Sequence, residues 1–119
     1  MKVLFVQEHP FLATALKLTM LSKGFDLVVS EDTSHASSVI NDVNPNIVIT
    51  DITQSDGIAY VVEAKKKNVP VIVISANGNE DELQRAFEKG ADDYLCLPLS
   101  LAELALRVSI LTRQQAALN

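Results

Sequence analysis

The sequence predicts a single α/β domain, a doubly wound five-stranded parallel sheet with helices on both faces. Short runs of Val, Ile and Leu alternate with helix-like segments five times along the 119 residues. These runs are continuously apolar, which is typical of parallel strands covered on both faces. Several runs end in small polar or acidic side chains, and the carboxyl ends of parallel strands meet at one sheet edge. Right-handed crossovers then place helices on both faces of the sheet.

The first half of the chain is expected to hold three strands, at residues 3–6, 25–29 and 47–50. Pro10 suits the first turn of a helix, and Gly24 ends that helix. Apolar residues recur at helical spacing between them, namely Phe11, Leu12, Ala15, Leu16, Leu18 and Leu21. A second helix stops before Pro45 and turns four residues inward, namely Ala36, Val39, Ile40 and Val43.

The second half repeats the pattern, with strands at residues 71–74 and 93–96. The third helix is marked by Ile58, Val61, Val62 and Ala64, and its last turn carries solvated lysines at 65–67. The fourth is marked by Leu83, Ala86 and Phe87 and is closed by Gly90. Ser100 and Glu103 form a capping-box pair. They open a last helix whose inward residues are Leu101, Leu104, Ala105, Val108 and Leu111.

Composition and charge argue against several classes of partner and location. The net charge of −5 and the pI near 4.8 argue against nucleic acid or an anionic membrane as a direct partner. No apolar run approaches the ~20 residues that span a bilayer. The single cysteine, Cys96, lies in an apolar run and is expected to be a buried, unpaired thiol, which suits a cytoplasmic protein. Residues 1–119 are expected to be one domain, either complete or the N-terminal part of a longer protein.

Four polar residues at the predicted strand ends should form one cleft, namely Gln7, Glu8, Asp51 and Ser75. Carboxylates that converge there repel each other unless a cation joins them, and Mg²⁺ prefers such oxygen ligands. Asp51 and Glu8 could bind the ion directly, and Gln7 could hold a water. A carboxylate beside Mg²⁺ can attack phosphorus to give an acyl phosphate, with Ser75 bonding a phosphoryl oxygen. The alternative for each residue is a plain strand-end cap.

The chain resembles response-regulator receiver domains over essentially its full length. The resemblance is carried by the segments VQEHP, PNIVITD, VPVIVISA and GADDYLCLPLS, which begin at residues 6, 45, 69 and 90. It implies a flavodoxin-like (βα)5 fold and Asp51 as the acceptor of a phosphoryl group from a histidine kinase. It also implies Ser75 as the switch hydroxyl, Tyr94 as the switch aromatic and the Thr53 backbone carbonyl as a metal ligand.

Departures from the family pattern favour a degenerate receiver, or pseudo-receiver, that works by protein contacts without phosphorylation. The usual acidic pair is Gln7 and Glu8, which predicts that Mg²⁺ binding is weak or absent. Leu97 replaces the family's lysine, and the loop at residues 52–57 is altered. The alternative is a conventional phospho-switched receiver, since Asp51, Glu8 and Ser75 permit the chemistry.

Two further expectations concern other surfaces and other functions. Ala102, Leu106 and Ile110 form a second apolar stripe on the last helix. They are either scattered surface residues or a face for a partner or a homodimer, which Tyr94 would border. A hydrolase of the haloacid-dehalogenase type is a remote alternative, because its second Asp is replaced by Thr53 and no glycine-rich phosphate loop occurs. His9 is expected to face solvent at the rim of the cleft.

Overall fold

A computed structural model describes residues 1–8, 12–53 and 56–118, and over these it confirms the predicted doubly wound α/β fold. The strands are β1 (Lys2–Val6), β2 (Asp26–Ser30), β3 (Ile47–Asp51), β4 (Val71–Ser75) and β5 (Asp93–Cys96). The helices are α1 (Ala13–Ser22), α2 (Ala36–Val43), α3 (Gly57–Lys66), α4 (Glu80–Glu88) and α5 (Leu101–Leu118). None of these helices combines the length and apolar character that crossing a bilayer requires.

The five strands form one parallel sheet in the order β2-β1-β3-β4-β5. The strand order reverses at β1, and ligands of such sheets bind beyond the carboxyl ends of the strands at this point. The register pairs Val6 with Thr50 and Asp51 with Ile74. The residues that follow β1 therefore lie beside the end of β3, which in turn lies beside the end of β4.

The core has two layers, one on each face of the sheet. Successive strand residues point to opposite faces, so each strand supplies both layers. One layer joins the sheet to α1 and α5, and its central residues are Phe5, Ile49, Ile72, Leu16, Met20, Leu104 and Val108. The other joins the sheet to α2, α3 and α4, and its central residues are Leu4, Val48, Val73, Ile40, Tyr60, Val61 and Ala86. This two-sided burial explains the continuous apolar runs.

The structure corrects the predicted apolar face of α1. Leu16 and Met20 are fully buried, whereas Leu18 and Leu21 are 65% and 58% exposed. The apolar positions extend around more of the helix than the stripe that can contact the sheet. The periodicity therefore predicted the helix but not which leucines it buries.

The prediction that Cys96 is buried was wrong, because its side chain is exposed. Cys96 ends β5, an edge strand that pairs only with β4 among the described residues. The residues of β5 alternate between half-buried and exposed, so this strand has a covered and an open face. The apolar sequence around Cys96 does not distinguish such an edge strand from a central one.

Helix caps were predicted in part. Ser100 Oγ accepts a hydrogen bond from the Glu103 backbone N–H at 3.2 Å, as a capping box requires. The Glu103 carboxylate, however, contacts Arg107 at 3.4 Å in place of the Ser100 backbone. The cap of α4 was not predicted: Asn79 Oδ1 accepts from the N–H groups of Asp81 and Glu82 at 3.0 and 3.3 Å. Pro10, proposed for the first turn of α1, lies outside the described residues.

Candidate functional site

The strand ends bring most of the predicted cleft residues together. Asp51 and Ser75 are the last residues of β3 and β4, and Gln7 directly follows β1. Gln7, Asp51 and Ser75 are 2%, 4% and 0% exposed. Glu8 is exposed, next to this buried group. His9 lies outside the described residues.

Both oxygens of the Asp51 carboxylate accept hydrogen bonds from neutral donors. Gln7 Nε2 donates to Asp51 Oδ2 at 3.0 Å. The Thr53 backbone N–H donates to Asp51 Oδ1 at 2.9 Å. Because each oxygen has its own donor, the two hydrogen bonds together fix the orientation of this carboxylate.

The loop after β3 lies tightly against the strand that carries Asp51. A Cβ atom on Gly57 would lie 2.1 Å from the Asp51 backbone oxygen, a distance that excludes any side chain there. The buried Thr50 hydroxyl donates to the Gly57 carbonyl oxygen at 2.9 Å. The early glycine of this altered loop is therefore required by close backbone approach. Gln54 and Ser55 of the same loop lie outside the described residues.

The residues after β4 engage the Ser75 hydroxyl within their own loop. Ser75 Oγ donates to Asn77 Oδ1 at 3.1 Å and accepts from the Gly78 N–H at 3.3 Å. The neighbouring Ala76 N–H donates to Thr53 Oγ1 at 2.7 Å. Sequence reasoning assigned only the Thr53 backbone to the site and missed its side chain. No sequence signal identifies this bond, because its partners are 23 residues apart in two separate loops.

Leu97 and Tyr94 lie on the β5 side of the cleft. The Leu97 N–H donates to the Ser75 carbonyl at 3.0 Å, and the Leu97-Pro98 peptide bond is cis. The Leu97 side chain lines an open apolar depression of about 410 Å³, shared with Leu12, Pro98 and Leu99. The Tyr94 ring is 40% exposed and packs edge-to-face on Phe87, with ring centroids 5.6 Å apart.

Receiver domains generally bind Mg²⁺ beside the phosphorylation site, and the oxygens at these strand ends suit that ion in kind. Gln7 Oε1 is buried and has no hydrogen-bond partner among the described residues, so it is an acceptor available to a cation or its water. The Asp51 carboxylate lies against the same amide. Across the part of the chain that the structure describes, no three His, Cys, Asp or Glu side chains form a metal-binding cluster. The oxygen ligands at this site are therefore of the kind that Mg²⁺ prefers, but few of them are carboxylates.

The second apolar stripe on α5 is exposed. Leu106 and Ile110 are 56% and 36% exposed, and Ala102 is exposed on the same side of the helix. Charged groups lie beside them: Arg107 contacts Asp93 of β5 at 2.9 Å and Glu103 at 3.4 Å. The stripe and these charges form the α5 face, defined here as Ala102, Leu106, Arg107 and Ile110.

A doubly wound parallel sheet with a buried strand-end aspartate and a hydroxyl at the end of the adjacent strand is the arrangement expected of a receiver-type signalling domain. Comparison with known sequences agrees. Residues 3–109 match the family described as the response regulator receiver domain, and the chain belongs to that family of two-component signalling domains.

Known relatives and solved structures support the assignment. The chain is 32% identical over 120 residues to the transcriptional regulatory protein PrrA of Mycobacterium leprae, covering 98% of this chain and 52% of that protein. It therefore spans about half the length of that relative. The receiver domain of the Francisella response regulator 1452 is 31% identical, with a TM-score of 0.83 and coverage of 96% and 98% of the two chains. A CheY-like receiver domain protein from Methanospirillum hungatei, 16% identical, shares the fold with a TM-score of 0.89 over 99% and 98%.

Proposed function

We propose that this receiver domain signals through protein contacts with Asp51 unphosphorylated in normal use. The observation that carries the proposal is the 3.0 Å hydrogen bond from Gln7 Nε2 to Asp51 Oδ2. A neutral amide stands where the family has a carboxylate, and it already occupies one oxygen of the acceptor. Ion binding follows ligand charge, so this substitution weakens Mg²⁺ at the site.

Besides Mg²⁺, a lysine is the family's second source of positive charge at this site, and this chain has Leu97 in its place. A lysine in that position would pair with the oxygens of a phosphoryl group on Asp51. Two unit charges ~4 Å apart at an effective dielectric near 20 interact by about 4 kcal/mol. Leu97 instead faces an apolar depression and cannot supply this interaction. An acyl phosphate at Asp51 would therefore form slowly and be poorly stabilised.

A weakly bound Mg²⁺ would be held by the remaining oxygens of the cleft. Asp51, Glu8 and the Thr53 backbone carbonyl would be direct ligands, and Gln7 would hold a water through its Oε1. The ion would supply positive charge beside the Asp51 carboxylate. The unpartnered Gln7 Oε1 supports this assignment.

A conventional phospho-switched receiver is the second candidate. It is favoured by Asp51 and Ser75, which are both buried at the ends of adjacent strands. In that case a histidine kinase would phosphorylate Asp51, Ser75 would be the switch hydroxyl, and Tyr94 would be the switch aromatic. The packing of Tyr94 on Phe87 at the surface would then change with the phosphorylation state.

Intact mass after incubation with acetyl phosphate and Mg²⁺ separates the two candidates. We expect no phosphoryl adduct on the wild-type chain. The variant Gln7→Asp with Leu97→Lys restores the missing carboxylate and lysine, and we expect it to gain one phosphoryl group. Adding Asp51→Asn to that variant should abolish the gain, which identifies the acceptor.

A full phosphoryl adduct on the wild-type chain that disappears in Asp51→Asn would overturn the proposal and establish the conventional switch. A matched control is Gln7→Asp with Leu18→Lys, which adds the same charges but places the lysine at an exposed leucine of α1. If this control were phosphorylated as much as Gln7→Asp with Leu97→Lys, the effect would not come from a lysine in the cleft.

The partner in this proposal is a histidine kinase or another signalling protein in the cytoplasm. The net charge of −5 favours protein over nucleic acid as the direct partner of this domain. The matched relative is a transcriptional regulatory protein, and the chain covers 52% of it. A gene-regulatory output would then belong to a segment beyond the receiver, and the α5 face would join two copies.

A further inference from the structure

Thr53 makes two hydrogen bonds, one through its backbone and one through its side chain. Its backbone N–H donates to Asp51 Oδ1 at 2.9 Å. Its side-chain Oγ1 accepts from the Ala76 N–H at 2.7 Å. We call the second bond the Thr53 clasp. Because its partners belong to different loops, the clasp holds the loop after β3 and the loop after β4 at a fixed separation.

The loop after β4 carries this constraint further, to the start of α4. Asn77 Oδ1 accepts from the Ser75 hydroxyl at 3.1 Å and from the Asn79 N–H at 3.3 Å. Asn79 in turn caps α4 through the Asp81 N–H at 3.0 Å. Hydrogen bonds, joined at Ser75 and Ala76 by the chain itself, therefore link the Asp51 carboxylate through Thr53 to the first turn of α4.

Two donors near Asp51 are engaged by this arrangement. Asp51 pairs with Ile74 in the sheet, so the Ser75 hydroxyl and the Ala76 N–H follow directly beside it. The hydroxyl donates to Asn77, and the N–H donates to Thr53. An anion bound at Asp51 needs such donors, since buried anionic oxygens without hydrogen bonds are costly. Leu97 offers no side-chain alternative.

We infer that Thr53 is a positioning residue whose clasp locks the loop after β4 in its resting conformation, so that an anion at Asp51 has to displace it. The inference rests on one part of the proposed function, the assignment of Asp51 as the phospho-acceptor position, because that is where an added anion would bind. Thr53 opposes occupancy of the site and couples the site to α4. A valine at this position keeps the branched shape and removes the acceptor, whereas a serine keeps the acceptor.

Hydrogen exchange at the Ala76 amide, measured by NMR on the unligated protein, tests the clasp directly. Thr53→Val should exchange about tenfold faster at Ala76 than the wild type, as expected for the loss of one hydrogen bond. Thr53→Ser should retain protection. Thr14→Val, at an exposed threonine of α1, should leave the Ala76 rate unchanged. An unchanged Ala76 rate in Thr53→Val would overturn the inference.

Titration with beryllofluoride and Mg²⁺ tests the opposition between clasp and anion. It is run in the wild type and in the Gln7→Asp, Leu97→Lys background, each with and without Thr53→Val. We expect Thr53→Val to tighten binding several-fold in that background, and Thr53→Ser to leave it unchanged. Equal affinity with and without Thr53→Val would refute the coupling. Tight binding of beryllofluoride by the wild type would count against the proposed function alone. The clasp is tested separately, by the ratio of the affinities measured with and without Thr53→Val.

Discussion

Gly57 shows how one residue sets the position of the site. Its backbone φ lies outside the left-handed region, so its role does not depend on conformational freedom. What excludes a side chain is space: a Cβ would lie 2.1 Å from the Asp51 carbonyl oxygen and 2.8 Å from its carbon. The start of α3 is thereby held against the strand end that carries the acceptor carboxylate.

Gly57→Ala is therefore expected to destabilise the fold and displace the loop after β3. Overpacking costs about 1–3 kcal/mol and occasionally more. The contact of the added Cβ with the Asp51 backbone is so short that we expect a cost near the top of this range. Urea denaturation measures the loss. Gly24→Ala is the matched control, because Gly24 has φ +86° and an added Cβ would meet no non-adjacent atom of the described residues within 4 Å. Its cost should be only the left-handed penalty of about 1–2 kcal/mol. A smaller loss for Gly57→Ala than for Gly24→Ala would contradict the steric account.

At the scale of elements, Tyr60 links α3 to the loop between β2 and α2. The Tyr60 hydroxyl donates to the Asp32 backbone carbonyl, and the ring is fully buried in the core. Within the loop, the Asp32 carboxylate accepts from the Ser34 N–H at 2.9 Å and contacts His35. The Ser34 backbone bond, more than His35, lowers the pKa of Asp32 below its ordinary value.

Burial raises the pKa of Tyr60 above its ordinary value of 10.0. The folded state therefore holds the proton more tightly than the unfolded chain. This stabilisation is fully present below pH 10 and is lost as the pH rises toward the folded-state pKa. Tyr60→Phe should cost about 1 kcal/mol near neutral pH through the lost hydrogen bond. Above pH 10, the difference in unfolding free energy between the wild type and Tyr60→Phe should shrink.

Denaturation of both proteins at several pH values checks this linkage. Tyr94→Phe is the control, because Tyr94 is 40% exposed and its hydroxyl makes no hydrogen bond within the described part of the chain. Near neutral pH its unfolding free energy should equal that of the wild type, because the substitution removes no hydrogen bond within the described residues. A constant difference between wild type and Tyr60→Phe through the alkaline range would show that Tyr60 ionises equally in both states.

At the scale of the whole molecule, the sheet was predictable because its signals are local. Continuous runs such as residues 71–74 identify a strand covered on both faces without knowledge of its neighbours. The strand-end positions of Asp51 and Ser75 then follow from topology. The Thr53 clasp was not predictable, because it depends on how two loops approach each other. Cys96 and Leu18 were misjudged because burial depends on which neighbour covers a residue: Cys96 ends an edge strand, and Leu18 lies on α1 outside the stripe that contacts the sheet.

The α5 face is the surface for which we expect a second copy of the chain. It combines exposed Leu106 and Ile110 with Arg107, which lies beside the carboxylates of Asp93 and Glu103. Together with these flanking carboxylates, the face presents charges of both signs around an apolar centre, an arrangement that can match itself under a two-fold rotation. Burying an exposed leucine contributes about 1.5–3 kcal/mol, and a two-fold dimer buries each residue twice. One substitution on this face therefore has a doubled effect.

Leu106→Lys should weaken dimerisation by about 3 kcal/mol or more, a change of over a hundredfold in Kd. Sedimentation velocity across a concentration series measures it, with a concentration-dependent dimer expected for the wild type and a monomer for the variant. Leu18→Lys is the matched control, since Leu18 is 65% exposed on α1 and should leave association unchanged. A wild-type chain that stays monomeric at all concentrations would exclude this dimer. Equal weakening by both substitutions would mean that association follows net charge, because the two leucines lie on different helices and share only their exposure.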